Sequence, residues 1–137
     1  MFSKTCEYAL RAVIKISRTS LEGKIINLHE VSKALDSPEP FTAKIVQQLS
    51  KNKIVEAIKG PSGGYRISEE KMKNTKIITV VEIFDGKDVM SKCVLGLKEC
   101  GNANPCCFHN QFIPIREQLQ RELTNCTLFE IAGGNKF

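Results

Sequence analysis

The sequence predicts a mainly α-helical fold with one small β-hairpin and a long C-terminal helix. Apolar residues recur at helical spacing near the N-terminus and again after residue 109, and a glycine-rich turn separates two strand-like runs near residue 60. The chain has 137 residues, which suffices for one cored domain with an extension but not for two full domains. We therefore expect a domain over residues 1–76 and a C-terminal segment over residues 77–137.

Two helices are predicted at the N-terminus from apolar spacing and from a helix cap. Apolar residues recur every three or four positions between Phe2 and Ser17, with charged residues on the other side, so residues 3–20 are expected to form an amphipathic helix. Asn27 then has N-cap chemistry, and Glu30 three residues later completes a capping-box pattern. A short second helix is therefore expected to begin there.

A third helix is predicted after a tight turn. Ser37 can cap this helix, and Pro38 suits the first helical position, where no backbone N–H is needed. Apolar residues from Phe41 to Leu49 mark its buried face. The side chains expected to point outward are polar or basic: Thr42, Lys44, Gln47, Gln48 and Lys51.

The next segment has the pattern of a small β-hairpin. Residues 54–58 and 65–67 are strand-like runs around the turn 59–64, and the basic residues Lys59 and Arg66 flank this turn. A helix, a turn and a second helix followed at once by a basic hairpin is the order of a winged helix-turn-helix. That order predicts a domain that binds double-stranded DNA.

The C-terminal segment is predicted to contain a loop between two helices. Residues 79–84 are expected to form a short helix, residues 91–109 a cysteine-containing loop, and residues 110–125 approximately a long helix. The apolar stripe of the long helix, from Phe112 to Leu123, is narrow and suits a partner helix, which predicts a homodimer. Packing of the stripe on its own chain is the alternative.

Charge and composition favour a cytoplasmic protein that binds a polyanion. Residues 1–76 carry 14 Lys and Arg against 8 Asp and Glu, whereas residues 77–137 carry 6 against 7. The apolar runs are too short for a transmembrane helix or a signal peptide, so we expect a cytoplasmic location without a membrane partner. In that compartment the six cysteines favour metal or redox chemistry over disulfides.

The third helix and the hairpin supply the expected DNA contacts. In this type of domain the helix enters the major groove, and the hairpin touches phosphates or the minor groove. Amide side chains can read adenine, lysine can reach guanine or phosphate, and wing cations set affinity more than sequence choice. An ordinary solvated helix face is the alternative. The expected contacts are Thr42, Lys44, Gln47, Gln48 and Lys51 of the helix and Lys59, Ser62 and Arg66 of the hairpin.

Three cysteines and a histidine form a candidate metal site. Cys93, Cys100, Cys106 and His109 lie within 17 residues of turn-rich chain. Thiolates with an imidazole suit an iron–sulfur cluster or zinc. The lack of a Cys-x-x-Cys pair disfavours a zinc ribbon. Zinc, a thiol redox switch and a chain without any cofactor stay open beside the iron–sulfur cluster.

Several of these motifs together resemble the IscR/NsrR (Rrf-type) family of winged-helix regulators. The resemblance covers residues 1 to about 125 and rests on residues 8–11, residues 43–46, the wing 59–65 and the three spaced cysteines. It implies a homodimeric DNA-binding repressor or activator with a long dimerisation helix, and not an enzyme. Several members carry a 2Fe–2S or 4Fe–4S cluster that senses iron–sulfur status, nitric oxide or redox state.

The resemblance also implies a ligand set for such a cluster. The three thiolates fall on Cys93, Cys100 and Cys106, and His109 matches the histidine ligand of one branch. Glu7 matches an acidic ligand that the partner subunit donates in other branches. For Glu7 the alternative is a salt bridge with Arg11 one helical turn away. The histidine and a 2Fe–2S cluster are favoured, with the glutamate and a 4Fe–4S cluster open.

Three departures from the family pattern limit this transfer. The first cysteine gap has six residues instead of the usual five, and Cys107 adds a thiol beside Cys106. Ala43 replaces an acidic residue that contributes to base choice in one branch. Some relatives lack the cluster, so it can be absent from the purified protein. We therefore expect a repressor switched by an iron–sulfur cluster, with a cluster-free regulator that responds to thiol oxidation or a small molecule as the alternative.

Overall fold

The computed structural model describes residues 1–133. Residues 134–137, the last four of the predicted C-terminal segment, lie outside the described residues. Within the described range the chain forms seven helices and one two-stranded antiparallel hairpin. In chain order the elements are α1 (Lys4–Leu21), α2 (Leu28–Leu35), α3 (Glu39–Lys51), β1 (Glu56–Ile58), β2 (Gly64–Arg66), α4 (Glu69–Asn74), α5 (Ile77–Asp85), α6 (His109–Asn125) and α7 (Leu128–Gly133).

Side-chain caps determine where the first two helices begin. The Ser3 hydroxyl accepts a hydrogen bond from the Cys6 backbone N–H at 3.0 Å and donates to the Asp85 carboxylate at the end of α5. The capping box predicted at the start of α2 is confirmed, since Asn27 Oδ1 accepts from the Glu30 N–H at 2.8 Å. The Glu30 carboxylate accepts from the Asn27 N–H in return. A cap of this kind contributes about 1 kcal/mol.

The start of α3 differs from the prediction. Pro38 is the N-cap residue, with an extended backbone, and Glu39 takes the first helical position expected for Pro38. The Ser37 backbone N–H donates to the Ser32 carbonyl at 3.0 Å, so Ser37 belongs to the end of α2. Its side chain does not cap α3, because its hydroxyl bonds to Thr42 instead. The prediction that Ser37 caps this helix is therefore wrong.

One hydrophobic core joins both predicted segments. Helix α1 contacts α2, α3, α5 and α7, and its inner face is fully buried at Ala9, Val13 and Ile16. Val80 of α5 and Leu128 of α7 lie in the same cluster of buried side chains. Removal of a large buried side chain from such a core costs about 2–5 kcal/mol. The boundary between segments 1–76 and 77–137 stays a prediction.

Two short helices, α4 and α7, lie in segments whose sequence has no clear helical pattern. Helix α4 forms within the polar segment 68–76, with Ser68 as its cap and Met72 buried against the core. Helix α7 begins with a second capping pair, in which Thr127 and Glu130 exchange hydrogen bonds of 3.0 Å. Each helix spans six residues, which is too short for a clear apolar period.

The predicted hairpin is confirmed, with slightly different bounds. The two strands pair antiparallel, with Ala57 opposite Tyr65. Tyr65 also bonds to Ile26, its N–H donating to the Ile26 carbonyl at 2.7 Å, so the hairpin is fixed to the chain that precedes α2. A Cβ on Gly64 would lie 2.4 Å from the Ile26 carbonyl oxygen, closer than any side chain can sit. This close approach explains the glycine.

No helix among residues 1–133 is both long enough and apolar enough to span a membrane.

Candidate DNA-binding surface and metal centre

The outer side of α3 presents a polar and basic surface. Four of the five DNA contacts predicted on this helix are exposed, and the fifth, Thr42, is buried. They line one surface together with the neighbouring Asn52 and the edge of α5 at Ile83. These four residues are Lys44, Gln47, Gln48 and Lys51. The arrangement offers donors to base edges and positive charge to phosphates.

The two adjacent glutamines of α3 differ in their surroundings. The Gln48 side-chain amide donates to the Ile83 carbonyl of α5 at 3.2 Å. A base contact by Gln48 therefore requires it to share or release this hydrogen bond. Gln47 is exposed on the same surface and is the better placed of the two to reach a base edge.

Thr42 does not belong to this surface. Its relative exposure is 0%, and its Oγ1 donates to the Pro38 carbonyl at 3.1 Å and accepts from the Ser37 hydroxyl at 2.6 Å. Thr42 shares helical spacing with Ile45 and Leu49, so it lies on the face that packs into the core. The prediction that Thr42 points outward to DNA is wrong.

The hairpin turn carries the remaining predicted contacts. Lys59 and Ser62 are exposed in the turn. The Arg66 guanidinium instead donates two hydrogen bonds to the Glu56 carboxylate across the strands. Arg66 Nε lies 3.0 Å from one carboxylate oxygen and Nη2 lies 3.2 Å from the other. This hydrogen bonding lowers the pKa of Glu56 and raises the pKa of Arg66. A phosphate contact by Arg66 therefore competes with Glu56.

The loop between α5 and α6 brings the three predicted cysteine ligands together. The Sγ atoms of Cys93, Cys100 and Cys106 all lie within 4.8 Å of one another, and those of Cys93 and Cys106 are 4.0 Å apart. Backbone turns fold the loop, since the Cys100 N–H donates to the Leu97 carbonyl and the Cys106 N–H donates to Cys100 Sγ. Arg116 of α6 donates to two carbonyls at the start of the loop, those of residues 91 and 92.

His109, the first residue of α6, contacts one of the three thiols, that of Cys100, and lies outside the group of donor atoms that are all within 4.8 Å of one another. Its Nδ1 lies 3.4 Å from Cys100 Sγ, and its Nε2 lies 3.3 Å from Asn102 Oδ1. If Nε2 carries the proton, the amide oxygen accepts it and the Nδ1 lone pair points at the thiols. The sequence offered no spacing rule that separates Asn102 from the other asparagines nearby, so this residue was missed.

Hydrogen bonds and burial change the acidity of the thiols unequally. The backbone N–H of Leu97 lowers the pKa of Cys93. For Cys100 the backbone N–H of Cys106 lowers the pKa, but burial and the two neighbouring thiols outweigh it and raise the pKa overall. Cys6, by contrast, is a core thiol, and burial followed by the nearby Asp85 carboxylate raises its pKa to about 12.

Glu7 lies on α1 and is not part of the thiol group in the described chain. Its carboxylate pairs with Lys4 at 3.5 Å. The alternative salt bridge with Arg11 does not form, because the Arg11 guanidinium donates to the Leu35 carbonyl at 3.2 Å and stacks over the Tyr8 ring. Glu7 is exposed, and its ligation of a cluster in a second subunit stays a prediction.

The donor set fits a soft metal centre. Three thiols within 4.8 Å of one another and one imidazole match the four ligands that a tetrahedral iron or zinc site takes from cysteine and histidine. Cys107 is exposed and lies outside this group. The donor chemistry alone does not distinguish an iron–sulfur cluster from zinc.

Helix α6 leaves its apolar stripe only partly covered in one copy of the chain. None of its residues, all of which are described, is buried, and Ile115 is 57% exposed. Pro114 lies inside the helix, where it removes one backbone hydrogen bond. Two members of the stripe contact the chain itself: Leu123 packs against Ile77 and its neighbours, and the Phe112 ring stacks on Phe108 with centroids 5.8 Å apart.

Known proteins resemble this chain over nearly its whole length. Residues 2–133 match the Rrf2 family, whose description is "Iron-dependent Transcriptional regulator". The chain is 29% identical to a protein of Aquifex aeolicus (strain VF5) described as an HTH-type transcriptional regulator, covering 96% of this chain and 90% of that one. It is 24% identical to the HTH-type transcriptional regulator IscR of Yersinia pestis, covering 92% and 75%.

Solved structures show the same fold. CymR (YrzC), the global cysteine regulator of B. subtilis, matches 99% of this chain and 98% of its own, with a TM-score of 0.78 and 20% identity. T. potens IscR matches 96% of this chain and 85% of its own, with a TM-score of 0.70 and 15% identity. The fold predicted from the sequence, mainly helical with a hairpin wing, is confirmed.

Proposed function

The chain belongs to the Rrf2 family of transcription regulators, and we propose that it binds operator DNA as a homodimer whose affinity an iron–sulfur cluster controls. Like its relatives, it is a DNA-binding transcription regulator and not an enzyme. The observation that carries the finer proposal is the grouping of three thiols before α6, with the His109 imidazole against one of them. A regulator of this type acts in the cytoplasm, where its operators lie.

The proposed DNA contacts follow from the exposed residues of α3 and the hairpin. Lys44 and Gln47 face the major groove, with Gln48 and Lys51 beside them. Lys59 and Ser62 touch the backbone, and Arg66 joins them only when it leaves Glu56. Most of these contacts raise affinity for any duplex, whereas Gln47 and Lys44 select sequence.

The partly exposed stripe of α6 is the proposed dimer contact. Two recognition helices fit successive major grooves when their centres lie about 34–36 Å apart. The distance depends on how the two copies of α6 pack. Because the cysteine loop is hydrogen-bonded to α6 through Arg116, a rearrangement of the loop changes that packing. The operator affinity of the dimer then changes with it.

The residues proposed to hold the cluster are Cys93, Cys100 and Cys106, with His109 as the fourth ligand. We favour a 2Fe–2S cluster, with a 4Fe–4S cluster or Glu7 of the partner subunit as the open alternatives. When bound, the cluster supplies reversible one-electron chemistry and sensitivity to oxidants and nitric oxide. The chain contributes the thiolates, and Asn102 orients the imidazole.

Anaerobic purification tests the switch. We expect a coloured protein with iron and acid-labile sulfide, and a change in operator affinity when the cluster is removed by a chelator. Replacement of Cys93, Cys100 or Cys106 by Ala should abolish the visible absorbance and fix the affinity at the cluster-free value. Cys107→Ala is the matched control, since this thiol lies outside the group. Unchanged binding in all three ligand variants would exclude switching by the cluster.

A cluster-free repressor that responds to thiol oxidation is the second candidate. It is supported by the 4.0 Å separation of Cys93 Sγ and Cys106 Sγ and by the exposed Cys107 next to Cys106. Such thiols can form a disulfide after a small movement. An anaerobic protein without iron, whose operator affinity changes on treatment with diamide and returns with dithiothreitol, would favour this candidate.

A further inference from the structure

A hydrogen-bonded pair joins the two helices of the helix-turn-helix on its exposed side. His29, near the start of α2, lies with Nδ1 2.9 Å from Oε1 of Glu39, the first residue of α3. The side chains are 75% and 50% exposed, so both are accessible to a ligand. Neither residue belongs to the contacts proposed above.

Glu39 occupies the part of α3 that reaches deepest toward DNA in this type of domain. Residues at the N-terminal end of the recognition helix contact base edges. Glu39 precedes Ala43 by four residues and Gln47 by eight, so the three share one helix face. Ala43 has only a methyl group and leaves space on this face for a base edge. The Glu39 carboxylate therefore lies on the proposed reading surface.

The chemistry of a carboxylate at this point restricts what it can bind. An ionised carboxylate only accepts hydrogen bonds and is repelled by phosphates. The matching donor in the major groove is an exocyclic amino group, and glutamate pairs with N4 of cytosine. The His29 contact engages Oε1, and the carboxylate has a second oxygen, Oε2, that can accept from such an amino group. The Glu39 carboxylate can therefore accept a hydrogen bond from a base while the His29 ring holds its other oxygen.

We propose that Glu39 selects a cytosine in each half-site and that His29 is a positioning residue which holds its carboxylate. This inference rests on the proposed docking of α3 in the major groove. Phosphate contacts by lysine favour all sequences alike, whereas a buried carboxylate without an amino partner disfavours the wrong base. Glu39 thus adds sequence discrimination rather than affinity.

The test begins with selection of preferred duplexes from a random pool by the anaerobically purified full-length chain. Fluorescence anisotropy then compares the selected operator with duplexes that carry each base at every half-site position. The variants are Glu39→Gln, which removes the charge, His29→Ala, which removes the support, and His29→Asn, whose amide N–H can replace Nδ1–H. Glu70→Gln is the matched charge control, because Glu70 is exposed and lies on α4 instead of α3.

We expect the wild-type chain to prefer cytosine at one half-site position by about tenfold or more. Glu39→Gln should lose this preference or move it to adenine, which glutamine reads, while the other positions keep theirs. His29→Ala should weaken the preference and His29→Asn should restore most of it. Equal tightening on every sequence by Glu39→Gln, matching Glu70→Gln, would overturn the inference while DNA binding itself stands. A wild-type chain that binds no duplex would overturn the proposed function as well.

Discussion

Replacement of Thr42 by Val separates a core role from a DNA contact. The Thr42 hydroxyl is fully buried and bonds to the Pro38 carbonyl at 3.1 Å and to the Ser37 hydroxyl at 2.6 Å. The Pro38 carbonyl keeps the Thr42 backbone N–H as a partner at 3.0 Å. The main loss therefore falls on Ser37, which is half-buried and has some access to water.

The expected cost of Thr42→Val is about 1–2 kcal/mol of unfolding free energy, since each hydrogen bond contributes about 1 kcal/mol net. For a chain of this size that lowers Tm by about 3–8 °C. Urea unfolding at a fixed protein concentration measures the change. Below the unfolding transition, operator affinity should stay within about twofold of the wild type.

Thr79→Val is the matched control, because Thr79 is exposed on α5 and the same replacement there should change stability by less than about 0.5 kcal/mol. The reasoning is refuted if Thr42→Val has wild-type stability but binds the operator at least tenfold more weakly. That result would return Thr42 to the reading surface, as the sequence alone had predicted.

Four further predictions address the surface, the hairpin, the metal centre and the core thiol. Lys44→Ala should weaken binding to the operator more than to random DNA, whereas Lys59→Ala should weaken both and reduce the salt slope by about one, as salt-dependent anisotropy measures. Gly64→Ala should distort the hairpin, because the new Cβ would lie 2.4 Å from a carbonyl oxygen, and thermal unfolding should shift downward. Asn102→Leu should keep the cluster but change its electron paramagnetic resonance spectrum and reduction potential, because the imidazole loses its acceptor. The pKa of Cys6 is raised in the folded chain, so stability should fall as pH rises above about 9, and Cys6→Ala should flatten that decline.

The predictions for the lysines, for Gly64 and for Asn102 each have a control. Gly101→Ala should be neutral, because nothing lies within 4 Å of a Cβ at that glycine and its φ is not positive. Asn102→Asp keeps an acceptor and should restore the spectrum of the wild-type chain. An Asn102→Leu protein with an unchanged spectrum would exclude the orienting role. Equal losses from Lys44→Ala and Lys59→Ala on every sequence would contradict their separate assignments.

Local signals predicted the parts of this fold that neighbouring residues determine. The capping box of Asn27 and Glu30 lies within one helical turn, so spacing alone identified the start of α2. The glycine-rich turn at residues 59–64 likewise predicted the hairpin from neighbouring residues alone. By contrast, Thr42 was assigned to the wrong face because threonine is polar, although its hydroxyl is satisfied inside the turn that precedes α3.

For the candidate metal site, the sequence predicted the cysteine and histidine ligands but not the residue that contacts the histidine. Cysteine spacing identified the three thiols, but Asn102 is placed by a fold of the loop that no spacing rule encodes. The engagement of Arg66 by Glu56 depends on which residues face each other across the strands, and one step of register would change it. The pairing of His29 with Glu39 likewise depends on how two helices pack.

The shared cap at the start of α1 connects two distant parts of the chain mechanically. Asp85 is the last residue of α5, six positions before the start of the cysteine loop at residue 91, and its carboxylate receives both the backbone N–H and the hydroxyl of Ser3. The same hydroxyl completes the first turn of α1, which carries Glu7. A displacement of Asp85 therefore changes the hydrogen bonds of the Ser3 cap, so this contact links the segment that leads into the loop to the first turn of α1.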